Sequence, residues 1–147
     1  MRWIWRGALV LLTVVVVGFA LLGWRSGRGG ISERLAPCGE APNCVSTGET
    51  RESHRVEPIA FADDSEAAFE RALAAVNELP GARVVVAEDG YIHAECRSRI
   101  FRFVDDLELQ VDAEAGLIRV RSASRVGYSD MGVNRRRVES LRAALEG

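Results

Sequence analysis

FRFVDDLELQVDAEAGLIRVRSAS, residues 101–124, alternates apolar with polar side chains in two runs parted by a break at Gly116, and that period of two decides the fold. Successive side chains of a strand point to opposite faces of a sheet. Phe101, Phe103, Leu107, Leu109 and Val111 of the first run therefore share one face, and Asp105 falls among them. In the second run, Leu117–Ser124, Ile118 and Val120 point inward and carry Ser122 and Ser124 with them. A turn of ordinary length sets Asp105 opposite Ser122 or Ser124. A carboxylate on a covered face is costly without hydrogen bonds, so Asp105 reads either as the acceptor in a structural polar knot or as a pocket acid. The opposite face carries Asp106 and Glu108 against Arg119 and Arg121, spaced for cross-strand ion pairs.

Upstream, two more strand-like runs, Arg83–Glu88 and Tyr91–Ser98, flank Asp89-Gly90, a hairpin dipeptide. Before them Phe69, Ala72, Leu73 and Val76 recur at helical spacing. Capping residues from Asp63 to Ser65 and a stop at Pro80-Gly81 predict a helix over residues 66–79. Downstream, Val138, Leu141 and Leu145 share one face of a helix over 134–145. Residues 37–60, with Pro37, Pro42 and Pro58, read as extended or irregular chain. The expected class is α+β: an antiparallel four-stranded meander sheet with two helices packed on one face, preceded by one transmembrane helix.

The transmembrane helix rests on residues 7–24, GALVLLTVVVVGFALLGW, which carry no charge and are framed by Trp3, Trp5 and Trp24. At ~1.5 Å per residue such a helix spans about 27 Å, close to a bilayer core, and indole rings favour both interfaces. The rival is a cleaved signal sequence cut near Gly18-Phe19-Ala20. The apolar run continues past that point through Leu21, Leu22 and Trp24, which favours an anchor. Residues 1–24 are thus expected as a single-pass membrane anchor, 25–36 as a flexible linker rich in glycine, and 37–147 as one soluble domain. Two arginines lie on each flank of the apolar run, and the amino terminus adds a charge on the short side. That balance puts the domain on the extracytoplasmic, periplasmic side. All 19 basic residues are arginine. Residues 31–147 hold 15 of them against all 21 acids, a net charge of −6, and an acidic domain argues against general nucleic-acid binding.

Pro37-Cys38 with Pro42-Asn43-Cys44-Val45-Ser46, the run FRFVDDLEL from Phe101, and RVRSASRVGYSDMGVNRRRVESLR from Arg119 together resemble the family called domain of unknown function 1499. The resemblance implies one compact domain, often behind a membrane segment in bacteria. It implies no activity, cofactor or catalytic residue. Cys96 stands outside the shared pattern.

Cys38 and Cys44 are candidates for a small disulfide loop in an oxidising compartment, or else two free thiols. Zinc would need Cys96, His54 or His93 as further ligands and shows no standard spacing, so neither metal nor cofactor is expected. Cys96 alternates with Ile92 and Ala94 as a small core residue. His93, Asp106 and a serine do not assemble a triad, because Ser122 and Ser124 point to the other face and no nucleophile-elbow motif is present. Arg135-Arg136-Arg137 sets three cations in the first turn of a helix, where the dipole disfavours them. Either acids such as Asp130 or Glu139 pair with them, or they belong to an anion site. In the second reading Gly127 and Gly132 turn the backbone tightly and helix-start amides point outward. Arg121, Arg125 and Arg135 then converge near Asp130 and Asn134.

Three functions fit these residues. The leading expectation is a membrane-tethered binding or accessory module for an anionic small molecule or an envelope protein, without enzyme activity. A second is a small cofactor-free hydrolase or isomerase using Asp105 beside Ser122 and Ser124. A third is a structural protein-interaction domain.

Overall fold

Residues 104–112 and 117–124 pair antiparallel along their whole length, with Asp105 opposite Ser124 and Val111 opposite Ile118. Residues 34–147 are described by a computed structural model. Its elements are β1 (Cys44–Ser46), β2 (Ile59–Ala60), α1 (Ser65–Glu78), β3 (Ala82–Glu88), β4 (Tyr91–Arg97), β5 (Val104–Asp112), β6 (Leu117–Ser124) and α2 (Val133–Glu146). The fold is a mixed α+β domain with an antiparallel sheet and two helices.

The sheet has six strands rather than the expected four. Its order is β1-β6-β5-β4-β3, and β2 also pairs with β6. The two additional strands come from the stretch read as irregular chain. They are three and two residues long, too short to display a period of two. What makes them strands is the edge of β6, whose residues 121–123 take up β1 and whose residues 117–118 take up β2. The expected anchor at 7–24 lies outside the described residues. Among the described residues no helix is long and apolar enough to cross a membrane.

The Asp64 carboxylate accepts from the Glu66 and Ala67 amides and starts α1. This helix buries Ala68, Ala72 and Val76. Val138 and Leu141 of α2 are buried in the same core, against Leu107 and Leu109 of β5 and Ile118 and Val120 of β6. Each large aliphatic side chain so enclosed contributes roughly 1.5–3 kcal/mol. Between α1 and β3 the chain turns at Gly81, where φ is +75°. A Cβ there would meet the Arg97 carbonyl oxygen at 2.4 Å. Glycine is required both by the left-handed backbone and by the close approach of β4.

Phe101 and Phe103 were expected inside β5, but they stand outside the core, 74% and 55% exposed. The strand begins only at Val104. Before it the chain closes a loop in which the Phe103 amide donates to Ser98 Oγ and the Ser98 amide to the Phe103 carbonyl. Arg102 adopts a φ of +55°, which breaks the alternation that the sequence pattern carries through this point.

The face of the sheet away from the helices is covered by charge. Glu95 sits between Arg83 at 2.8 Å and Arg125 at 3.0 Å, and Arg125 continues to Asp106 at 2.7 Å. Glu108 receives the Tyr91 hydroxyl at 2.8 Å and Arg121 at 2.6 Å, and Arg119 meets Asp112 at 2.8 Å. Arg34, near the end of the expected linker, lies 5.4 Å from the Tyr91 ring centroid and 3.9 Å from Asp89. Cys38 and Cys44 form a disulfide that packs on Ala123. Its loop is held by Glu49, which accepts from the Cys38 amide, and by Arg51, which donates to the Cys38 and Gly39 carbonyls.

Candidate functional site

Asp105 faces the helices, and there it meets a residue that the anion-site reading had grouped elsewhere. Arg137, on the first turns of α2, donates from Nη2 to Asp105 Oδ2 at 2.7 Å. From Nη1 it donates to Ser122 Oγ at 2.8 Å and to Asn134 Oδ1 at 2.6 Å. Ser122 Oγ also donates to Asn134 Oδ1 at 2.7 Å. The Asn134 amide group donates to Ser124 Oγ at 3.0 Å and to the Asn43 carbonyl at 2.9 Å. Asp105, Ser122 and Ser124 therefore belong to one buried network, closed by Asn134 and Arg137. The side chains of Arg137 and Asp105 are 13% and 11% exposed. A buried carboxylate needs such a partner, and a bonded guanidinium is the strongest available.

This network forms the floor of an opening at one end of the sheet. A pocket of about 340 Å³ lies between the β4–β5 loop and the β6–α2 loop, with Asp105, Ser124 and Asp130 among the residues that line it. Phe103, Val126 and Val133 supply its apolar wall. Asp130 is itself bound: its carboxylate accepts from the Gly132 amide at 2.9 Å and the Asn134 amide at 2.8 Å. It thereby places a negative charge on the start of α2, where the helix dipole favours one.

The two loops that frame the pocket also carry an exposed apolar collar that the strand reading missed. Ile100 and Phe101 on one loop are 83% and 74% exposed, and Tyr128 and Met131 on the other are 78% and 87% exposed. The Phe101 and Phe103 rings stack with centroids 5.7 Å apart. The only signal for this in the sequence was the apolar Ile100-Phe101 pair interrupting the arginines at 97, 99 and 102.

The arginines expected to converge on an anion do not meet. Arg121 and Arg125 lie on the opposite face of the sheet and are taken up by Glu108, Glu95 and Asp106. Strand alternation turns them there, away from Asp130 and Asn134. Arg135 points away from the pocket and donates to the Arg55 and Ser53 carbonyls at 2.9 and 3.0 Å. Arg136 donates to the Met131 carbonyl at 3.0 Å. The three cations at the start of α2 thus find oxygen partners one by one, which relieves their conflict with the dipole. Glu139 pairs instead with Arg142 at 3.2 Å.

His93 Nε2 donates to Asp106 Oδ1 at 2.8 Å on the charged face, with both serines on the other side of the sheet. Arg125, with His93 assisting against burial, holds the Asp106 carboxyl below its ordinary range. Burial pushes the Cys96 thiol up, so it is a poor nucleophile although Asp105 lies opposite it in the sheet. Among the described residues no group of three His, Cys, Asp or Glu side chains is placed to hold a metal ion.

No curated protein matches the sequence. A family model described as a protein of unknown function (DUF1499) matches residues 34–145, which take in every strand and both helices described above except the last residue of α2. The chain therefore belongs to the DUF1499 family.

Proposed function

We propose that this chain is a binding module, tethered through a membrane helix at residues 7–24 and facing the extracytoplasmic side, whose site is the pocket between the β4–β5 and β6–α2 loops. The observation that carries this reading is the division of the pocket into a polar floor and an apolar wall, the arrangement common to small-molecule sites. The floor presents acceptors: the Asp105 and Asp130 carboxylates and the Ser124 hydroxyl. It offers no free cation, since the Arg137 guanidinium is already bonded to three oxygens. The ligand that fits is amphipathic, with a hydrogen-bond-donating or cationic head and an apolar body, rather than the anion expected from the arginine count.

The test uses the full chain in phosphatidylcholine nanodiscs and a thermal-shift series of alkylamines, alcohols and matched carboxylates. Amines stabilise the wild type and carboxylates do not. Val126→Trp, which fills the mouth, abolishes the shift without changing the unliganded midpoint. Equal shifts for both ligand classes, or an undiminished shift in Val126→Trp, refute the reading.

One observation favours a second function. Asp105 lines an open pocket beside Ser124, the arrangement a cofactor-free hydrolase or isomerase would need. Against it, Arg137 occupies Asp105 Oδ2 and Ser122 is wholly buried. Turnover of an ester or ketone panel that disappears in Asp105→Asn, with the fold intact, would favour catalysis over binding.

A further inference from the structure

Eight large apolar side chains stand exposed among the described residues; six lie in the two loops that frame the pocket, and Val133 opens α2 directly after the second loop. Isolated exposed apolar residues are ordinary; a cluster on one end of a domain marks a contact surface. The chemistry of the β4–β5 loop narrows the partner. Arg99 and Arg102 in it, and Arg97 at the end of β4, are exposed, and among the described residues none of them pairs with a carboxylate. On the charged face of the sheet, by contrast, arginines 83, 119, 121 and 125 are each neutralised by an acid. The domain carries a net −6 over residues 31–147, yet it leaves three unpaired cations beside its most exposed aromatic rings.

Aromatic and aliphatic tips that enter the acyl boundary, with arginines beside them reaching phosphates, are the pattern of an interfacial membrane contact. We propose that Ile100, Phe101, Tyr128 and Met131 insert into the surface of an anionic bilayer while Arg97, Arg99 and Arg102 bind its phosphates. The pocket mouth then opens toward the lipid headgroups.

The experiment places a nitroxide at Ile100→Cys or Tyr128→Cys in the full chain, with Glu88→Cys at the far end of the sheet as reference. The chain is reconstituted in vesicles of phosphatidylcholine alone or mixed with phosphatidylglycerol, and collision with oxygen and with a water-soluble nickel chelate is measured. In the mixed vesicles positions 100 and 128 become oxygen-accessible and nickel-protected while position 88 stays in water. Each arginine near an anionic surface contributes about fivefold. Arg97→Gln, Arg99→Gln and Arg102→Gln together therefore shift the docked-to-undocked ratio by about a hundredfold, with the circular dichroism unchanged. Nickel access at position 100 that is the same in both lipids overturns the proposal. So does protection that appears in detergent as the protein concentration rises, which would assign the collar to a second copy. Pocket binding is read in phosphatidylcholine alone, so its failure and the failure of docking are separate results.

Discussion

Arg137 gives the sharpest prediction. Its guanidinium holds the only charge facing Asp105 from α2, and the pair is nearly closed to solvent. Truncating it in Arg137→Met leaves a buried carboxylate without a counter-ion. Removing one member of such a pair costs about 3–5 kcal/mol, which in a domain of this size lowers the unfolding midpoint by roughly 10–20 °C. Ser122 and Asn134 retain their own hydrogen bond at 2.7 Å, so the loss is centred on Asp105. Asp105→Leu alone strands the guanidinium and costs a similar amount. The double variant removes both charges and keeps the volume, so it stays within about 1–2 kcal/mol of the parent. The assay is urea unfolding of the full chain in non-ionic detergent, followed by far-ultraviolet circular dichroism because residues 34–147 contain no tryptophan. A double variant as unstable as the two singles added together would refute the idea that each charge exists to satisfy the other.

Acid should loosen the sheet from its charged face. Arg83 and Arg125 hold Glu95 low, Arg125 and His93 hold Asp106 low, and Arg119 with the Ala115 amide holds Asp112 low. Carboxyls depressed in the folded state contribute stability above the unfolded pKa and lose it as the pH falls through the folded one. Thermal midpoints should therefore fall progressively between about pH 5 and pH 2, and a combined Glu95→Gln, Asp106→Asn variant should flatten the profile. Reducing the Cys38–Cys44 bridge should cost about 2 kcal/mol from loop entropy, read as a drop in the urea midpoint on adding dithiothreitol. Native Cys96 should react with a maleimide at least ~10-fold more slowly than the urea-unfolded chain, because it is buried and its thiol is shifted up. Gly81→Ala should cost about 1–3 kcal/mol through its positive φ and the Arg97 carbonyl, measured by the same denaturation.

The period-two run of β5 and β6 carried most of the fold, because each face of those strands meets a single environment. Alternation alone puts Asp105 on the face of Ser122 and Ser124, and the observed register selects Ser124 as its opposite. The pairing of Arg121 with Glu108 follows as well, but Asp106, expected against Arg119 or Arg121, is taken by Arg125 and His93, and Arg119 turns to Asp112. β1 and β2 were not legible, since a two- or three-residue strand is defined by its neighbour and not by its own pattern. The pocket was legible only in its floor. The spacing sets Arg136 opposite the face of Val138, Leu141 and Leu145 but leaves Arg135 and Arg137 flanking that face alike. The three are consecutive on a helix, where each step turns the side chain by about 100°, and only the position of α2 over the sheet selects which of those two turns inward. The collar was misread for the same reason as Phe101 and Phe103: alternation is silent about where a strand stops.

β6 has the most partners of any strand, taking β5 along one edge and both β1 and β2 along the other. Those two early segments have nowhere to dock until residues 117–124 exist, so a growing chain must pass residue 117 before its first strands can settle. The chain waits in that half-assembled condition, with the edge of β5 that β6 will cover still open, for several seconds at ordinary translation speed. In such an interval the Cys38–Cys44 loop can close on its own, since its thiols are close in sequence, whereas Ala123, the surface it packs on, is made much later.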